Sequence, residues 1–127
     1  MMTPGEYLRR RRLSEHLTVE DVAGRIHSWP RLGLDERANW IRQIEADVVP
    51  ATFGTIAAIG HIVPIDAQAL AALDAIRLGI GERVPQLCAH CAITPWQVIP
   101  SHALWSRPDL CPVCEKHGPP PGTEVTW

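Results

Sequence analysis

A chain of 127 residues has room for one modest hydrophobic core, or a small core with a stapled appendage. Its 46% apolar and 20% charged residues are ordinary for a soluble globular protein, and no apolar stretch approaches the length of a bilayer span. A formal charge of −2 and a pI near 6.3 argue against a partner held mainly through phosphate neutralisation, which needs Lys and Arg.

The N-terminus, MMTPGEYLRRRRL, lacks the apolar segment of a secretory signal, so a cytoplasmic location is expected. A first helix is expected after Pro4 and Gly5, with Leu8, Leu13 and Leu17 as a sparse apolar face. It carries the run Arg9, Arg10, Arg11 and Arg12, yet residues 1–50 hold eight Arg against eight Asp and Glu. Thr18 starts a second helix, with Asp21 three residues later in a capping-box variant and Val22, Ala23 and Ile26 as its buried stripe. HSWPRLGL, residues 27–34, has the Pro and Gly of a loop, and Asp35 caps a third helix running to about Asp47. Pro50 stops that helix. Thr52 caps a fourth, with Phe53, Ile56, Ala57 and Ile59 facing inward; Asp66 caps a fifth, in which Leu70, Leu73 and Ile76 or Arg77 follow the helical period. The divisions expected are a helical domain at 1–78, a linker at 79–86, a four-cysteine module at 87–117 and a flexible Pro-rich tail at 118–127.

Seven of the twelve prolines lie beyond residue 94, and from residue 86 no helical or strand period persists. So short a segment with so little apolar periodicity needs a staple. LCAHC and LCPVC supply it: Cys88 and Cys91, then nineteen residues, then Cys111 and Cys114. Two residues between thiolates let both sulfurs approach one ion from a tight turn, and two such knuckles complete a tetrahedral shell. In a reducing compartment this spacing favours Zn2+ over disulfides, and four thiolates with no vacant position make the zinc structural. His90, His102 and His117 are nearby alternative ligands, and Trp96 and Trp105 are expected to pack over the knuckles.

On the third helix, Ile41, Ile44 and Val48 share one face while Asn39 and Gln43 lie nearly opposite, flanked by Arg42. Such a face is often no more than solvated surface. LRRRRLSEHLTVEDVAGRI (8–26) and ANWIRQIEADVVPATFGTIAAI (38–59), in that order, resemble the Cro and lambda-repressor-like helix-turn-helix family. The resemblance implies a mainly α fold, a four- to five-helix helix-turn-helix domain, here followed by a small zinc-ribbon or zinc-knuckle module. It implies that Asn39 and Gln43 reach base edges in double-stranded DNA, with Arg37 and Arg42 assisting. It further implies an ion pair between Arg12 and Glu45 that ties the first helix to the third. Arg9, Arg10 and Arg11 are candidate phosphate contacts, Arg9 and Arg10 foremost.

The sequence departs from that family's pattern at four places. The excursion at 27–34 lengthens a normally tight turn; Val19 stands where a phosphate-binding Gln is frequent; Val48 and Val49 replace basic residues; Asp47 takes a usual Gly position. Two functions follow. One is a sequence-specific regulator of bacterial or phage type, its zinc module supporting a homodimer or a partner contact; the other is an adaptor or inhibitor that keeps the scaffold and binds a host protein. With no Gly-rich phosphate loop, nucleophile motif or open metal site, enzyme chemistry is not expected.

Overall fold

The structure, a computed structural model, describes residues 2–26, 32–81, 83–95, 105 and 107–122, with Phe53 described by its backbone alone. Six helices lie among them: α1 (Pro4–Ser14), α2 (Val19–Arg25), α3 (Leu34–Glu45), α4 (Phe53–Gly60), α5 (Ala67–Arg77) and α6 (Pro112–His117). Among the described residues there is no strand beyond an isolated antiparallel bridge between Arg107 and Leu110, and no helix is long and apolar enough to cross a membrane. The molecule is therefore mainly helical. Trp29 and most of the 27–34 excursion, Trp96, His102 and Trp127 fall outside the described residues.

Side-chain caps set four of the first five helix starts. The Thr18 and Asp21 capping box is complete: Asp21 N–H donates to Thr18 Oγ1 at 3.0 Å and Thr18 N–H donates to Asp21 Oδ2 at 2.9 Å. Thr52 accepts from the Thr55 amide, and Asp66 accepts from the Gln68 and Ala69 amides. Thr3 accepts from the Glu6 amide, ahead of Pro4 in the first turn of α1. The third helix differs from expectation. Its N-cap is Gly33, with no side-chain cap, and Asp35 sits inside the first turn, where its negative charge favours the positive end of the helix dipole.

The core has two aliphatic parts joined by α3. Val19, Val22, Ala23 and Ile26 of the α2 segment pack with Ala38 and Ile41 of α3 and with Ile59 and Val63. On the other side, Tyr7 and Leu8 of α1 pack with Ile44 of α3, Leu70 and Leu73 of α5, and Ala92 from between the cysteine pairs. Trp40 lies half-buried against this second part. The inward faces expected of the first, fourth and fifth helices need correction. The face that α1 buries is Pro4, Gly5, Tyr7, Leu8 and Arg11, whereas Leu13 and Leu17 are only half-buried. On α4, Ala57 is exposed and the buried positions are Thr55 and Ile59. On α5, Ile76 is half-buried and Arg77 is exposed.

The crossing of α1 over the end of α3 is tight enough to demand glycine. A Cβ on Gly5 would stand 2.5 Å from the carbonyl oxygens of both Ile44 and Glu45. Gly5 N–H donates to Asp47 Oδ1 at 2.9 Å, and Asp47 adopts φ +61, the left-handed backbone that Asp tolerates better than most residues. The Asp that stands in a usual Gly position thus satisfies an amide in the first turn of α1.

Candidate metal centre and outer face of the third helix

The first cysteine pair sits on a tight turn. Cys88 N–H donates to Ile93 O at 3.0 Å, Ala92 N–H donates to Cys88 O at 2.9 Å, and Ala92 takes φ +62 to close the loop. The second pair opens α6, an element too short to show a period in the sequence. Cys111 is its N-cap, Pro112 occupies the first turn, and Cys114 N–H donates to Cys111 Sγ at 3.4 Å. Ala89 N–H donates to Asp109 O at 2.7 Å and joins the two turns.

All four cysteines are free thiols and buried, and their sulfurs lie within 4.8 Å of one another. Cys91 and Cys111 are 3.7 Å apart, far beyond a disulfide at about 2.05 Å. A tetrahedron with metal–sulfur bonds of about 2.3 Å has sulfur–sulfur edges of about 3.8 Å. The donor set therefore fits one metal ion. Ile93, Trp105 and Leu110 pack around it, and Trp105 Nε1 is buried without a hydrogen-bond partner among the described residues. His117 is exposed, and the metal-binding group among the described residues consists of the four cysteines.

Electrostatics make the same point. Hydrogen bonds from Cys111 and Cys91 pull the Cys88 thiol far below its ordinary range. Cys91, which donates to Cys111 and Cys88 and is buried, is driven far above its own. Burial, then the neighbouring sulfur charge, pushes Cys114 up to about 12. Without a cation the cluster holds thiolate and thiol together; a divalent ion is what lets all four ionise.

The arginine run closes onto this centre. Arg10 Nη1 donates to Ala89 O at 2.7 Å and to His90 O at 3.1 Å. Arg11, only 2% exposed, donates to Cys91 O and to Pro64 O, each at 3.0 Å, and pairs with Glu15 at 3.3 Å. Arg9 reaches Glu6 and Gly122 O, and Glu6 also pairs with Arg10 at 2.8 Å. Arg12 meets Glu45 through two bonds of 2.8 and 2.9 Å. One helical stretch thus fastens both the first cysteine turn and the end of α3. The sequence sets Arg9, Arg10 and Arg11 toward phosphate, whereas the fold turns Arg10 and Arg11 onto backbone carbonyls. The signal was present: Tyr7, Leu8 and Arg11 share one helical stripe, so the stripe contains a cation.

On α3, Asn39 is exposed and Gln43 half-buried, and neither side chain has a hydrogen bond among the described residues. Arg42 is ion-paired with Glu20 of α2. That pair lies after the hydrogen bond from its own backbone among the causes that lower the Glu20 pKa. Arg37 Nη1 donates to Ile26 O at 2.6 Å and holds the end of the α2 segment against α3. Of the residues expected to meet DNA, the two amides face outward uncommitted, and each arginine has an internal partner. Elsewhere, buried Tyr7 accepts the Asp66 amide at 2.8 Å, and Thr94 donates to Asp66 Oδ2 at 3.1 Å. Burial raises the Tyr7 pKa, so the phenol stays protonated. Comparison with known proteins finds no family model, curated protein or solved structure that matches the chain.

Proposed function

We propose that this chain is a small sequence-specific DNA-binding regulator of bacterial or phage type, built on a helix-turn-helix scaffold and stapled by a structural zinc ion. The observation that carries the reading is the outer ridge of α3: Asn39 and Gln43 stand one turn apart on a helix whose opposite face is core. The Arg12–Glu45 pair fixes the end of that helix. Side-chain amides are suited to paired hydrogen bonds with adenine N6 and N7, and a rigid helix can deliver them into the major groove. Cys88, Cys91, Cys111 and Cys114 hold the zinc, whose closed thiolate shell leaves no place for a reactive water. Two copies on one duplex would set their half-sites about 34 Å apart, one helical turn, or a multiple of it.

Selection from a randomised duplex pool at low salt, with the zinc-loaded protein, tests the reading. The expected outcome is enrichment of a defined sequence that Asn39→Ala or Gln43→Ala abolishes; failure to enrich any sequence rejects it. Elemental analysis of the purified protein tests zinc against iron, which the same sulfur tetrahedron accepts.

A specific observation favours a second reading, an adaptor or inhibitor that binds another protein. Arg9, Arg10, Arg37 and Arg42 are all internally engaged, while Glu20, Asp21, Asp35 and Glu36 are exposed on α2 and α3. Phosphate contact requires free cations, and these carboxylates oppose it. The salt dependence of binding to generic duplex separates the two: a near-zero slope favours the adaptor, and a slope of several phosphates favours the regulator.

A further inference from the structure

Between α1, α4 and α5, beside the turn that ends α3, lies a hollow of about 560 Å³. Exposed Ala57 and Ala71 on its wall make it a cleft open to solvent, and concave, mostly apolar clefts are where small-molecule sites occur. Its walls are mainly aliphatic, including Leu8, Ile56 and Leu70, and small side chains such as Ala57 and Ala71 leave the room. The volume falls within the range of about 300–1,000 Å³ typical of small-molecule sites.

The polar lining gives the occupant its charge. Asp47, Asp74 and Arg77 border the hollow, with Asp74 and Arg77 one turn apart on α5. Arg77 Nη1 lies 3.6 Å from Asp47 Oδ1 and its Nη2 donates to the Asp47 carbonyl, while Asp47 Oδ1 also accepts the Gly5 amide. Half-buried Asp74 has no ion pair or hydrogen bond from its side chain among the described residues. Two carboxylates against one committed guanidinium leave a net negative rim with one carboxylate to spare.

We propose that this hollow binds a small apolar molecule bearing one ammonium group, its hydrocarbon body against Leu8, Ile56 and Leu70 and its cation at Asp74. A carboxylate-headed ligand of the same shape meets repulsion there. The site adjoins the end of α3 without including Asn39 or Gln43, so it stands or falls separately from the DNA reading.

The test uses the full, metal-loaded chain and two probes with the same cage and opposite charge, adamantan-1-amine and adamantane-1-carboxylate. Calorimetry and amide chemical shifts at neutral pH measure binding. The expected result is saturable one-to-one binding of the amine, at least ten times tighter than the carboxylate, with shifts centred on α4 and α5. Asp74→Asn weakens the amine at least tenfold. Ala57→Leu and Ala71→Leu fill the space and abolish binding while the melting temperature holds. Absence of amine binding, equal affinity for both probes, or undiminished binding in folded Ala57→Leu overturns the proposal. Comparing the two probes on the unmodified chain needs no variant to fold.

Discussion

The helical region and the cysteine region reach stability by different routes. Residues 4–77 bury aliphatic side chains on both sides of α3, so ordinary apolar burial holds them. The segment from Cys88 to Cys114 gathers four buried sulfurs with, among the described residues, Ile93, Trp105 and Leu110 packed around them, and coordination of a metal by those sulfurs would supply the cohesion that burial does not. The two are nevertheless not beads on a linker. Ala92 is fully buried in the helical core, and Arg10 and Arg11 of α1 take the carbonyls of Ala89, His90 and Cys91. A chain of this size gains by making one element serve both cores, and α1 is that element.

Removing the metal should break the comparison most severely. Structural zinc contributes about 10–16 kcal/mol of apparent binding free energy at neutral pH in isolated zinc-finger peptides. Cys111→Ser, or a strong chelator, is expected to unfold residues 87–117 and lower the melting temperature of the remainder, with most helical circular dichroism retained. Thermal melts with and without metal check this.

Mild acidity should act first on the cysteine region. Cys91 and Cys114 have raised pKa values in the metal-free cluster, so at neutral pH each must surrender a proton when the ion binds. In the bound state the thiolate pKa falls below its unfolded value. The stabilisation is therefore present above the unfolded pKa and lost as pH falls through the bound-state value. The protons that these two thiols release predict that the dissociation constant weakens by at least about a hundredfold per pH unit as pH falls, about 2.7 kcal/mol. Competition titrations with a chromophoric chelator between pH 6 and 8 measure the slope.

Arg11→Met sharpens the comparison. Methionine keeps much of the length and none of the donors, and leaves the buried Cys91 carbonyl and the part-buried Pro64 carbonyl without this donor. The expected loss is about 2–4 kcal/mol of stability together with weaker metal binding, since unsatisfied buried groups cost about 1–3 kcal/mol each. Denaturant melts and metal titrations on the same variant read both. Gly5→Ala should act on the helical region, because its Cβ meets two backbone oxygens that cannot swing aside. Overpacking of this kind costs about 1–3 kcal/mol, read as a lower denaturant midpoint with metal affinity unchanged.

Much of the helical region was legible in the sequence because its signals are local. Thr18, Thr52 and Asp66 cap their helices by side chain, and the stripe of Val22, Ala23, Ile26, Ile41 and Ile44 follows a period that survives folding. The pairing of Cys88, Cys91, Cys111 and Cys114 was legible because thiolate spacing is itself a coordination constraint. The tertiary roles of individual charges were not. Nothing local marks Arg10 as a partner of carbonyls some eighty residues away, or Asp47 as a cap for Gly5. A cation beside its own Glu reads as solvated surface until the opposing backbone is known, and α6 is too short for periodicity to reveal.

Amide hydrogen exchange across α1, measured with and without bound metal, tests most directly whether the arginine stretch makes the two regions one cooperative unit. Stripping the ion should accelerate exchange through residues 7–13 as well as around the cysteines, because Arg10 and Arg11 lose their carbonyl acceptors. Unchanged protection in α1, with loss confined to residues 87–117, would contradict the account and leave two independently stable regions joined by a tether.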